Sequence, residues 1–153
     1  MIKSENGITF FLLIVTVIVL IIIGTAAAAS GISTYKHAQV KLYLKEMDAI
    51  KEKVGLYEER AGVNPDLDLA TIGLDVTESD EAVDLLKKLG IGEDEYSNYR
   101  YLSSGAIKSE LGLENISKSV VINVNTKKIY SITPAKYDNN LYYSADDLRN
   151  SFK

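Results

Sequence analysis

Cysteine is absent from the 153-residue chain. Disulfides, thiol nucleophiles and Cys-based zinc sites are therefore excluded, whatever compartment the protein occupies. Histidine occurs once, as His37, so the residues beyond it cannot supply a histidine-based catalytic triad. Positive charge is scarce where a nucleic-acid surface would need it: residues 61–153 carry ten basic groups against fifteen acidic ones, with no basic stripe. A phosphate backbone is a poor partner for such a surface, and no nucleic-acid contact is expected. Glycine-rich phosphate loops and metal-ligand signatures are also missing. Only carboxylate or Ser/Lys chemistry remains open, and no pair of residues is singled out for it. The expectation is a protein that is not an enzyme, with no catalytic residue, cofactor or metal. Asp66 with Asp68, Glu93-Asp94-Glu95, and Asp138 with Asp146 and Asp147 offer oxygen ligands, but none has EF-hand spacing, and they read as solvated loops.

Proline is nearly absent too: the only two are Pro65 and Pro134, so nothing of that kind interrupts residues 8–60. Residues 8–33 carry no charge, and fourteen positions between Ile8 and Ile23 are Ile, Val, Leu or Phe. As a helix this run is roughly 39 Å long, more than the ~30 Å of a bilayer core. Summed insertion energies favour lipid by roughly 4 to 8 kcal/mol. A transmembrane half-helix over 8–33 is expected. Gly24 with Ala28 and Ala27 with Gly31 form a small-residue face on it, suited to close packing of helices in a membrane or a filament.

Past this run the pattern changes without a break. Val40, Tyr43, Met47, Ile50, Val54 and Tyr57 recur at steps of three and four, placing them on one stripe, while Lys41, Lys45, Asp48, Glu52 and Glu59 fall largely elsewhere. Residues 34–60 are thus read as the amphipathic half of the same helix, with the stripe packed on the rest of the chain. Gly62 and Pro65 end it.

Residues 61–153 read as a small α+β head. Residues 61–76 are loop-like, with Leu67, Leu69, Ile72 and Leu74 against the core. A helix is predicted over 78–89, with Thr77 or Ser79 as N-cap and Gly90 beyond it. Strand 99–102 and helix 106–113 follow. Residues 119–133 read as a hairpin around Asn125-Thr126-Lys127-Lys128, its second strand limited by Pro134. Leu141-Tyr142-Tyr143 is a candidate edge strand, and Ser144 caps a last turn over 145–152.

These features together resemble a type IV pilin or type II secretion pseudopilin: a short leader, Gly7, then Ile8-Thr9-Phe10-Phe11-Leu12-Leu13-Ile14-Val15, a long apolar helix with an amphipathic continuation, and a small head whose tail holds a hairpin. The resemblance is at motif level over residues 1–57. It implies a leader at 1–7, cleavage by prepilin peptidase between Gly7 and Ile8, and N-methylation of Ile8. It also implies a long N-terminal helix packed on a small antiparallel sheet with short helices, and assembly with other pilin-like subunits. Leu12 stands where the family usually has a glutamate, which points to a minor or divergent subunit.

The expected function is a non-catalytic structural subunit of a pilus-like or pseudopilus filament, with a single membrane pass, the cytoplasmic membrane of a bacterium as location and the head outside. Charge leans the other way: Lys36, Lys41 and Lys45 follow the apolar run and only Lys3 precedes it, which by the positive-inside rule favours a cytoplasmic head. The alternative is an extracytoplasmic binding domain that never assembles, either anchored or released by signal peptidase near Ala26 to Ala29.

Overall fold

The computed structural model describes the backbone of residues 3–153 and the side-chain surroundings of 13–20 and 36–153. Helix α1 (Lys3–Ala61) is followed by strand β1 (Leu74–Asp75), α2 (Asp80–Lys88), β2 (Tyr99–Leu102), α3 (Ser104–Leu111), β3 (Val120–Asn123), β4 (Ile129–Ser131), β5 (Ala135–Tyr137), β6 (Asn140–Tyr142) and α4 (Ala145–Asn150). The architecture is α+β. The chain divides into two compact units, Met1–Gln39 and Val40–Lys153.

In the first unit only helix α1 is present. Its described side chains, residues 13–20, are all exposed, and the seven large apolar ones among them are 38% to 63% exposed. The transmembrane, single-pass expectation is corrected at this point. Among the described residues, no helix is long and apolar enough to cross a membrane. Eight described residues rise only about 12 Å, less than half of a bilayer core. The rest of the expected span lies outside the described side chains.

The second unit is built on a four-stranded antiparallel sheet of order β1-β2-β3-β4. Strand side chains alternate between faces, and here both faces are covered. On one side, Val120, Ile122, Leu102 and Ile129 share a core with Val40, Tyr43, Met47, Ile50 and Val54 of α1, together with Ile107 and Leu111 of α3 and Leu148 of α4. On the other, Tyr99, Tyr101 and Val121 pack with Ala82, Leu85 and Leu86 of α2. This explains why all four residues of β3 are buried: it lies between two layers.

The short helices start and stop on local chemistry. The Ser79, Ser103 and Ser144 hydroxyls accept hydrogen bonds from the backbone N–H groups of Ala82, Ala106 and Asp147, capping α2, α3 and α4. α3 ends on Gly112 at φ +68°, a left-handed conformation that costs glycine nothing. α2 carries Asp80 and Glu81 in its first turn and Lys87 and Lys88 in its last, which complements the helix dipole.

Two strands depart from the sequence reading. β1 lies in the segment read as loop, where two residues pair with Arg100 and Tyr101, too few to show any alternation. β5 was hidden by Pro134, which does end the preceding strand but also opens the next. Asp138 and Asn139 at φ +47° and +62° form the two-residue turn of a β5–β6 hairpin, as a type I′ turn requires. Of the loop leucines and isoleucine read as core, Leu69 and Ile72 are buried, whereas Leu74 is 46% exposed.

Candidate functional site

Within the second unit, α1 presents two faces of opposite character. The inner stripe is almost dry: Val40, Tyr43, Met47, Ile50 and Val54 are buried, and Tyr57 is partly buried beside them. Tyr43 is the polar member. Its hydroxyl donates to the Tyr142 carbonyl at 3.2 Å, and Lys118 Nζ stands 5.2 Å from its ring centre. That lysine also meets the Glu46 carboxylate at 2.6 Å, with both side chains under one-fifth exposed. Burial pushes the Tyr43 phenol well above its ordinary value. The Asp147 charge adds to the rise, and a Ser131 hydrogen bond partly offsets it. Lys118, Glu46 and Tyr43 thus tie α1 to the approach to β3 and to β6.

The outer face is wet but not wholly polar. Leu42 is 55% exposed and Leu56 38% exposed, and both lie seven residues from the half-buried Ala49. Lys41, Lys45, Glu52 and Glu59 are exposed on the same side. A shallow, open groove follows this face, lined by α1 residues that include Lys41, Lys45, Ala49 and Glu52, with Arg149 of α4 as its far wall. Arg149 is engaged by Asp48 and, at 3.7 Å, by Asp146. The sequence reading assigned the charged residues to outer faces but missed the seven-residue recurrence of Leu42, Ala49 and Leu56, the signal that would have revealed it.

The carboxylates considered as oxygen ligands have other work. Asp68 accepts from the Ala70 N–H and caps a 3-10 turn. Asp147 accepts from the Ser144 hydroxyl and pairs with Lys128 at 3.5 Å. Asp146 pairs with Lys51 at 3.7 Å. Among the described residues, no group of three His, Asp or Glu side chains stands close enough to hold a metal ion. Gly7, Ile8 and Leu12, and the small-residue positions Gly24, Ala27, Ala28 and Gly31, lie outside the described side chains. The notable surfaces are therefore faces of one helix: an exposed apolar run at 13–20 and a mixed apolar and charged strip at 41–59. Such surfaces suit contact with another macromolecule. Compared with family models, with curated proteins and with solved structures, the chain matches none.

Proposed function

We propose that this protein is a non-catalytic structural subunit of a type IV pilus-like or type II secretion pseudopilus filament, a minor or divergent one, with its head outside the bacterial cytoplasm. The observation that carries the reading is the pairing, on α1, of an exposed apolar run with a segment buried in an α+β head. Seven consecutive-turn apolar side chains left in water are unfavourable by roughly 25 cal/mol per Å². Subunits that stack their helices remove that surface from water. The head is then free to determine which neighbours are met. Prepilin peptidase is the processing partner in this reading, and other pilin-like subunits are the assembly partners.

Mass spectrometry of the amino terminus of the native protein tests it. A methylated Ile8 is the expected result. An amino terminus near Ser30 would identify a secreted domain released by signal peptidase, and an intact Met1 would show that no leader is removed. Either of these overturns the filament reading.

A further inference from the structure

The outer face of α1 has a symmetry of its own. Leu42 and Leu56 lie seven residues before and seven after Ala49, while Lys45 and Glu52 lie four before and three after it. We infer that this face is a self-association surface, on which a second copy of this chain lies antiparallel about a two-fold axis through Ala49. In that arrangement Leu42 of each copy meets Leu56 of the other, Lys45 meets Glu52, and the two Ala49 residues sit at the crossing. A two-fold interface must be self-complementary in this way.

Charge determines the orientation. A parallel pair in register would set Lys45 against Lys45 and Glu52 against Glu52. A parallel pair shifted by seven residues would bring Lys45 to Glu52 but force Glu52 onto Glu59. Like charges placed opposite each other are unfavourable, so both parallel registers carry repulsion. The antiparallel register carries none among these residues. It also brings Lys41 and Glu59 to within two residues of each other. Alanine at the crossing lets two helix axes come to about 8 Å, the near limit of helix packing. The groove along this face, open toward solvent and bounded by Arg149, is where the second helix would rest. This inference does not rest on the filament reading, because it uses only residues of the unit Val40–Lys153.

The absence of cysteine makes the test direct. The full-length protein, held in mild detergent to shield residues 13–20, would carry single cysteines at Ala49→Cys, Leu42→Cys or Leu56→Cys and be exposed to a gentle oxidant. A disulfide requires Cα atoms about 5.5 Å apart, so only positions that meet across the axis can link. Ala49→Cys should form a covalent dimer at least about tenfold faster than either leucine variant alone, and a mixture of Leu42→Cys with Leu56→Cys should link to each other. Sedimentation of cysteine-free variants completes the test. Lys45→Glu should weaken the dimer by about tenfold or more, and Lys45→Glu with Glu52→Lys should restore it to within about threefold. Leu42→Cys linking to itself as fast as Ala49→Cys would mean parallel pairing and would overturn the inference. So would a monomer that resists linking at Ala49→Cys, or a charge swap that restores nothing.

Discussion

Gly73 separates backbone strain from steric conflict, and its replacement by alanine tests how tightly β1 is seated on β2. The residue sits at φ +62°, and a Cβ there would stand 2.2 Å from the Tyr101 carbonyl oxygen and 3.0 Å from the Leu102 side chain. Left-handed backbone costs an alanine about 1 to 2 kcal/mol. Relieving the contact means moving Gly73 away from β2. The shift disturbs the Gly73 N–H bond to Glu110 at 2.8 Å and the Arg100 bond to the Gly73 carbonyl at 3.3 Å. Hydrogen bonds to charged groups are worth about 1.5 kcal/mol or more when fully lost, and partial loss of two adds about 2. Lower entropy of the unfolded alanine chain returns about 0.4 to 1 kcal/mol. The net expectation for Gly73→Ala is a loss of about 3 kcal/mol, a fall in Tm of roughly 10 to 20 °C for a unit of this size. Gly90→Ala is the control, because Gly90 also has a positive φ, +74°, but nothing within 4 Å of its Cβ position; it should cost only about 1 kcal/mol. Urea unfolding of both variants decides the matter. If Gly73→Ala costs no more than Gly90→Ala, the close approach of β2 to this turn is wrong.

Two further outcomes follow from the polar ties on α1. Lys118→Met leaves the largely buried Glu46 carboxylate without its cation and should cost about 2 kcal/mol, whereas Lys51→Met removes a pair whose side chains are 61% and 55% exposed and should cost no more than about 0.5; equal losses in urea unfolding would contradict the burial argument. Alkaline pH should destabilise the protein through Tyr43, whose phenol is raised by burial. Above the unfolded value of about 10 the unfolded chain releases this proton while the folded state keeps it, so stability falls as pH rises from there. Tyr43→Phe should make the loss of stability between about pH 9 and 11 shallower, without abolishing it, because Tyr101 and Tyr130 are also raised by burial; unchanged pH dependence would show that Tyr43 is not the group responsible.

Local signals were legible wherever the chemistry is local. Ser79, Ser103 and Ser144 cap helices because a hydroxyl reaches an N–H three residues on, and Gly90 and Gly112 follow helix ends because they accept a positive φ. The strand at Tyr99–Leu102 and the hairpin strands β3 and β4 showed in β-branched and aromatic composition. The six-residue stripe from Val40 to Tyr57 is a period, and a period depends only on order along the chain.

Partnership is another matter. β1 is two residues long and exists only because β2 lies beside it, and β5 needed its turn at Asp138-Asn139 to be recognised across a proline. Which side of α1 would be wet could be guessed, but the apolar members of the wet side stood out only when burial had removed the inner stripe from view. Order along the backbone is enough to set caps, turns and periods, since each involves neighbours within one turn. Pairing between distant segments, and the faces it leaves uncovered, depends on loop closures and on competition for the same core, and that information resides in the folded chain alone.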